Sequence, residues 1–210
     1  MKKAAVKLNS YFNGIWKARY FLIHLALADL RAKWRRSSMG ILWSILQPLG
    51  MTLLLALVFS RLFHTDIVLY VPYILSGLLT WEFIASSLTG GSLAFVQADA
   101  YIKQIKHPLA IYTLRLIVSN LITFTLAACV LWVWAGYVAP YHINCSWLAV
   151  LSFFPLIAMI TWPLATLLAY FGARFRDIPH AMGLILQASW FVSPVYFETA
   201  MFRNKVVLMH

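Results

Sequence analysis

Long apolar runs separated by short polar segments dominate the chain after residue 36. A membrane-crossing helix needs about 20 mostly apolar residues, and several of the runs have that length. The run 116–173 has no charged side chain and is long enough for two crossings, which the proline-containing polar stretch 139–146 divides. We therefore predict an all-α membrane protein with five transmembrane helices. The predicted spans are residues 37–60, 71–96, 116–138, 147–171 and 178–197.

The N-terminal segment, residues 1–36, shows a different pattern, in which aromatic and aliphatic residues recur every three or four positions among basic residues. This spacing places the apolar residues on one face of a helix. The longest apolar piece, residues 20–28, is too short to cross a bilayer. We predict an amphipathic helix in the membrane interface, with a cytoplasmic tail that merely adheres to the surface as the alternative. The predicted apolar face consists of Phe12, Trp16, Tyr20, Ile23, Leu27, Leu30 and Trp34.

Composition and charge support a membrane protein and predict its orientation. Hydrophobic residues make up 62% of the 210 residues, charged residues make up 11%, and the mean hydropathy is +0.79. Soluble domains carry roughly 45–50% apolar and about 25% charged residues. The 17 Lys and Arg residues outnumber the 6 Asp and Glu residues, and most lie in segment 1–36 and in the loops after spans two and four. The positive-inside rule therefore predicts a cytoplasmic N-terminus, with membrane lipids and not nucleic acid as partners.

Motifs for catalysis and cofactor binding are missing from the sequence. It has no GxxxxGKS or GxxxxGKT phosphate-binding loop, no HExxH, no GxSxG and no metal-ligand spacing of His, Cys, Asp and Glu. Glu82 is the only acid inside a predicted span. A paired-carboxylate mechanism would need a second acid there, and a proton relay would need several ionisable groups. We expect no catalytic residue, no metal and no cofactor in this chain, which is then moved by another protein.

Four short motifs follow one another along the predicted spans. They are SSMGILWSILQP at residues 37–48, PYILSGLLTW at 72–81, YIKQIKHP at 101–108, and ARFRDIP at 173–179 followed by SPVY at 193–196. Together, and in this order, they resemble the motifs of bacterial ABC-type polysaccharide export permeases, with Tyr101 where leucine is common and Glu82 as an unusual acid.

The resemblance implies a type-2 ABC exporter permease in the bacterial cytoplasmic (inner) membrane. Such a subunit has six spans, forms a homodimer, binds a separate ABC ATPase dimer on its cytoplasmic face and exports a lipid-linked glycan such as O-antigen, capsule or teichoic acid. ATP would bind to the partner and not to this chain. The sixth span is absent from this sequence, so we expect a truncated form of a subunit of roughly 250–270 residues, one that is weakly stable or inactive.

Two cytoplasmic segments are the predicted sites of ATPase coupling. In the loop between Asp99 and Arg115, the residues Tyr101, Ile105 and Leu109 are spaced so that they share one face of a short helix, as docking in a partner's groove requires. The alternative for this loop is a solvated basic segment that only enforces topology. In the second segment, Asp177 is placed to cap span five, and this structural role is the alternative there. The predicted coupling residues are Tyr101, Lys103, Ile105, Lys106, Pro108, Arg174 and Arg176.

The translocation path is predicted from aromatic residues and from one acid. Sugar rings pack on aromatic side chains, and a carboxylate inside a span should face water or a partner. The alternatives are lipid-facing or packing roles for the aromatic residues, and an acid that extends to the membrane surface. The predicted path residues are Trp43, Tyr73, Trp81, Glu82 and Phe83.

Two other functions remain open at this point. An exporter of a drug or small lipid would have the same architecture. A membrane-embedded glycosyl- or acyltransferase would need clustered acids or histidines at a membrane face, and the scarcity of such clusters argues against it.

Overall fold

A computed structural model describes residues 11, 13–35, 37–63, 66–104, 107–138, 146–193 and 195. These residues are mostly helical and include no strand, which confirms the predicted all-α class. A 3-10 turn, Gly40–Leu42, precedes the second long helix. The α-helices are α1 (Arg19–Trp34), α2 (Trp43–Phe63), α3 (Ile67–Gln97), α4 (Asp99–Gln104), α5 (Ala110–Val138), α6 (Ser146–Arg174) and α7 (Ile178–Val192).

Four of these helices, α2, α3, α5 and α6, are long and apolar enough to cross a membrane. They correspond to predicted spans one to four. The fifth predicted span contains α7, an apolar helix of 15 residues, which is about 22 Å long and shorter than a hydrocarbon core of about 30 Å. Residues 194 and 196–197 of that span, and most of the predicted turn 139–146, lie outside the described residues. A fifth crossing therefore stays a prediction.

The observed helix ends differ from the predicted ends where a charge had been taken as a boundary. The third span was predicted to begin after Arg115, but α5 begins at Ala110 and includes that arginine. The charge is accommodated because Arg115 forms an ion pair with Asp29 of α1, with 3.5 Å between Nε and Oδ2. At α3, the Asp66 side chain accepts a hydrogen bond from the Val68 backbone N–H at 3.0 Å and caps the helix before its predicted start.

The central helix of the bundle is α3, which packs against α2, α5, α6 and α7. Its apolar residues join a buried cluster with those of α5 and α6, which positions the middle of α3 between them. The cluster consists of Leu75, Leu79, Phe83, Ile117, Phe124, Ala127, Ala128, Ile157 and Ala165.

Glycines allow α3 and α6 to approach each other closely. A Cβ atom on Gly91 would lie 2.8 Å from the Cβ of Ala165, and one on Gly172 would overlap the backbone carbonyl of Ser92. Without a hydrophobic driving force in lipid, small residues that let backbones approach are a main source of helix association. The two glycines therefore set the spacing of the α3–α6 pair.

Hydrogen bonds between side chains join α3, α5 and α6 inside the bundle. The hydroxyls of Thr113 and Thr166 are 2.9 Å apart, and the Trp162 indole N–H donates to Thr113 Oγ1 at 3.2 Å. Asn120 donates to Ser87 Oγ at 3.0 Å. Such bonds contribute about 0.6 kcal/mol each on average in membrane proteins, so they orient the helices more than they stabilise them.

One end of the bundle is formed by α1 together with the ends of three long helices. Leu25 of α1 packs in a buried cluster with Ala98, Tyr112 and Ala169, which lie at the end of α3, the start of α5 and the end of α6. We call this end the basic end. Its exposed basic residues include Lys33, Lys103, Arg174 and Arg176.

The predicted apolar face of the N-terminal helix is present only in part. Leu30 is 2% exposed and packs inside the protein, and Trp34 donates a hydrogen bond to Ser44 Oγ at 3.2 Å. Phe12 lies outside the described residues. The helix turns its C-terminal end toward α2, so the exposed apolar stripe is shorter than predicted. The residues of this stripe are Trp16, Tyr20, Ile23 and Leu27.

Candidate functional site

A mostly apolar cavity with several polar groups in its wall, which we call the polar cavity, lies where α2, α3 and α5 meet, at the middle of α3. Its volume is about 140 Å³, which is enough for several water molecules. Glu82, the central residue of α3, lines this cavity with an exposed side chain. The amide of Gln47 and the hydroxyls of Ser86 and Thr123 line the same space. A carboxylate is costly in hydrocarbon but not beside polar groups and water, so the cavity explains how α3 tolerates Glu82.

Helix geometry decides which predicted path residues reach this cavity. Successive helical residues turn by about 100°, so Trp81, Glu82 and Phe83 point in three directions. Trp43 lines the cavity together with Glu82. Phe83 also borders the cavity, but its side chain is only 2% exposed and packs against Phe124, with ring centroids 5.5 Å apart. Phe83 is therefore part of the wall of the cavity.

The other two predicted path residues lie outside this cavity. Trp81 lines a groove of about 520 Å³ between α2, α3 and α7, where its ring meets Trp190 edge-on at 6.2 Å. Tyr73 is on the opposite side of α3 from Glu82 by helical geometry, and its ring stacks on Tyr70 at 6.0 Å. The structure therefore does not bring the five residues into one site, and the translocation roles of all five stay predictions.

The predicted coupling residues of the first loop lie partly on α4, at the basic end. Tyr101 is 43% exposed. Lys103 pairs with Asp99 one turn earlier, with 2.5 Å between Nζ and Oδ2, and both side chains are exposed. Such a pair is worth only about 0.3–0.5 kcal/mol, so it leaves this surface free to rearrange against a partner. Ile105 and Lys106 lie outside the described residues.

The loop after α4 is supported by the N-terminal segment. A Cβ atom on Gly14 would lie 3.2 Å from Cγ of Pro108, and the rings of His107 and Phe21 are 4.8 Å apart at their centroids. A movement of this loop would therefore be transmitted to the segment that leads into α1.

A single helical face through Tyr101, Ile105 and Leu109 is not found. The helix α4 ends at Gln104, and Leu109 lies in a turn, where it packs against the buried cluster at the basic end. Pro108 accounts for the difference, because a proline disfavours the helical conformation in the residue before it.

The turn between α6 and α7 places two predicted coupling residues on the surface of the basic end. Arg174 lies over the ring of Phe175 at 5.9 Å, and Arg176 is exposed. Asp177 is at the N-cap position of α7, but its side chain makes no capping hydrogen bond, so the predicted cap is wrong in this respect. A capping residue usually has an extended backbone, whereas Asp177 itself has helical dihedral angles (φ −86°, ψ −13°), and Pro179, the second residue of α7, offers no N–H.

The ion pair between Asp29 and Arg115 is the feature that sequence reasoning missed. The Arg115 side chain is 9% exposed and that of Asp29 is 37% exposed. Burial raises the pKa of the Asp29 carboxyl above its ordinary value, and the nearby Arg115 charge opposes this rise. Both charges are visible in the sequence, but no spacing connects two residues so far apart.

Polar residues lining the cavity were also missed, although they left a signal. Asn120 and Thr123, which line the cavity with Gln47 and Ser86, are three residues apart on α5. Polar residues three apart within an apolar span share a face, so a helical projection of the spans would have selected this pair.

Comparison with known proteins identifies the family. A family model described as ABC-2 type transporter matches residues 21–208, which include every helix from α2 to α7 and most of α1. The chain belongs to the ABC-2 type transporter family. It is therefore an integral membrane protein and a transport subunit, and a membrane-embedded transferase is no longer a competing interpretation. The resemblance stated from the four motifs is confirmed.

Individual relatives of this ABC-2 transporter chain have more specific names. It is 26% identical over 195 residues to the O-antigen export system permease protein RfbA of Myxococcus xanthus, covering 91% of this chain and 73% of that protein. Two proteins with the same name from Klebsiella pneumoniae are each 23% identical to it, over 88% of this chain and 71% of their own length. The chain is thus a homologue of O-antigen export permeases.

Proposed function

We propose that this chain is the membrane subunit of an ATP-driven ABC exporter that moves a lipid-linked polysaccharide across the bacterial cytoplasmic membrane. The observation that carries the proposal is the similarity to O-antigen export permeases along 91% of the chain. Because the sequence has no phosphate-binding loop of its own, ATP hydrolysis is assigned to a separate ABC ATPase dimer.

The basic end is the proposed cytoplasmic face and the docking surface of the ATPase. The positive-inside rule supports this orientation, because α1, α4 and the turn before α7 contribute exposed basic residues there. Tyr101 and Arg176 are exposed at this end, so an ATPase can reach them without unfolding any helix.

The helix α4 is almost continuous with α3, the helix that carries Glu82 in the polar cavity. Only Ala98 separates α4 from the end of α3, and Ala98 is fully buried in the cluster of the basic end. An ATPase that pulls on α4 therefore acts directly on α3, which carries Glu82. We propose that two copies of the chain form a homodimer and that this movement opens a path for the glycan between them, with Glu82 and Trp43 at its wall.

The test is coupling in a reconstituted complex. The chain is purified with an ABC ATPase from the same organism, placed in lipid vesicles, and ATP hydrolysis is measured with and without a lipid-linked polysaccharide. We expect the glycan to stimulate hydrolysis. Tyr101→Ser should lower this stimulation severalfold at equal membrane abundance, because it removes an exposed aromatic contact of α4.

The matched control is Tyr137→Ser, the same substitution at a residue that is 89% exposed at the other end of α5. It should leave the stimulation unchanged. Equal stimulation of the wild-type and Tyr101→Ser complexes would contradict the docking surface. Stimulation by small amphiphiles but not by the glycan would instead support export of a drug or small lipid.

A further inference from the structure

A second polar chamber lies under α1 at the basic end, separate from the path residues discussed so far. Its volume is about 440 Å³, within the range of small-molecule sites. It is bounded by α1, the second half of α3 and the first half of α5. The residues that the argument uses are Asp29, Lys33, Tyr112, Arg115 and Asn120.

The charges around this chamber do not cancel. Arg115 and Lys33 each contribute a positive charge, and Asp29 contributes one negative charge. Asp29 contacts the guanidinium through Nε, at 3.5 Å. Among the described residues, Asp29 is the ion-pair partner of the Arg115 guanidinium, the Lys33 ammonium has none, and neither cation donates a hydrogen bond. The chamber therefore has an excess positive charge and free donors.

A buried hydroxyl in the same wall lacks a partner. The Tyr112 side chain is fully buried, and among the described residues its hydroxyl has no hydrogen-bond partner. An unsatisfied buried hydroxyl is unfavourable, and native structures avoid it unless a ligand, water or ion completes it. One hydroxyl donor and two cationic groups around one chamber are suited to an anionic oxygen ligand.

The position of the chamber points to a lipid as the source of that ligand. The helix α1 exposes the apolar residues Tyr20, Ile23 and Leu27, as helices do that lie at the boundary between head groups and acyl chains. Basic pockets between membrane helices at this level bind phosphate-bearing head groups. We propose that this chamber binds the phosphate of a lipid head group at the level of α1.

Each residue has a defined task in this site. The Arg115 terminal nitrogens and the Lys33 ammonium bind the phosphate oxygens, and the Tyr112 hydroxyl donates to one of them. Asp29 holds the Arg115 side chain in place and repels a second negative charge, which favours a phosphodiester over a doubly charged phosphate. Lys33 and Asn120 also line the Glu82 cavity, so the head group is bound next to that cavity. The proposal rests on the chamber itself and does not depend on the exported cargo.

The experiment measures binding to the purified full chain in an uncharged detergent. Phosphatidylglycerol, a diacylglycerol with the same acyl chains, and inorganic phosphate are each titrated, and retained ligand is counted by native mass spectrometry alongside the melting temperature. We expect phosphatidylglycerol to bind at lower concentration than either other ligand. Equal binding of the diacylglycerol, or tighter binding of inorganic phosphate than of the lipid, would overturn the proposal.

Two variants localise the binding. Tyr112→Phe and Lys33→Gln should each weaken phosphatidylglycerol binding about tenfold, as expected for one lost hydrogen bond to a charged group. Lys17→Gln, the matched control on the same segment but outside the chamber, should bind as the wild type does. Equal weakening in all three variants would show a diffuse basic surface and reject the site.

The melting temperature of each variant without ligand distinguishes a loss of lipid binding from a loss of folding stability. Because the Tyr112 hydroxyl has no partner, Tyr112→Phe should not lower it. A lower melting temperature in that variant would show that the hydroxyl is already engaged, and would refute the assignment.

Discussion

Replacing Gly172 by alanine tests how closely α3 and α6 cross. The added Cβ would overlap the Ser92 carbonyl oxygen and would lie 2.8 Å from the carbonyl carbon. Carbon atoms in contact are about 3.5–4.0 Å apart, so α6 would have to move by roughly 1 Å or more at this point. The obstacle is backbone and not a flexible side chain, so no rotamer change relieves it.

The expected cost follows from comparable changes in packed interiors. Overpacking costs typically about 1–3 kcal/mol, and a backbone obstacle places Gly172→Ala in the upper half of that range. The movement would also separate Phe95 from Tyr170, whose ring centroids are 5.0 Å apart. A loss of about 2–3 kcal/mol is a factor of roughly 30–150 in the unfolding equilibrium.

The assay is equilibrium unfolding in mixed detergent micelles, followed by far-ultraviolet circular dichroism. The controls are Gly50→Ala and Gly183→Ala, where an added Cβ meets nothing within 4 Å. Alanine in a helix is otherwise favoured over glycine by about 1 kcal/mol, so the controls should be stabilised while Gly172→Ala is destabilised. A Gly172→Ala protein as stable as the controls would refute the close crossing.

Two further results are expected. Because burial raises the pKa of Asp29 above 3.8, the folded protein retains this proton to higher pH than the unfolded chain, and the stability from this group falls as the pH rises above 3.8. When the melting temperature is measured against pH, Asp29→Asn should remove the part of the decline that comes from this carboxyl. Asp99→Asn, which changes an exposed pair, should leave that decline in place. An unchanged decline in Asp29→Asn would contradict the burial of Asp29. A cysteine replacing Glu82 in a Cys129→Ser, Cys145→Ser background should react with a small water-soluble thiol reagent faster than one replacing the buried Phe83, and complete protection at Glu82 would indicate a closed packing role.

The long helices could be predicted because hydrophobic runs alone specify them. Their ends could not, because ends depend on partners that are distant in sequence. Arg115 looked like a boundary, and only the Asp29 carboxylate brought by α1 makes it an interior residue of α5. The close approach at Gly172 could not be predicted for the same reason, because a glycine in an apolar run does not indicate which distant carbonyl it will face.

In the candidate site, too, some features could be predicted from the sequence and others could not. Glu82 stands out in the sequence because a carboxylate in an apolar span needs a polar neighbour. Trp81 and Glu82 could have been separated beforehand, because successive helical side chains are about 100° apart, and Trp81 indeed lines the groove beside α7 while Glu82 and Phe83 border the cavity. The chamber under α1 could not, because it exists only when α1, α3 and α5 are assembled.

The packing of α1 fixes an order of events during synthesis. Leu25 lies in a cluster with Ala94, Tyr112 and Ala169, and all three are translated after α1 is complete. At about 5–20 residues per second, α1 is without its partners for on the order of ten seconds. Its exposed apolar stripe suits the membrane interface during that interval. The ion pair between Asp29 and Arg115 can form as soon as α5 has been inserted, before α6 and α7 are complete, so it marks the packing of α1 against a partial bundle.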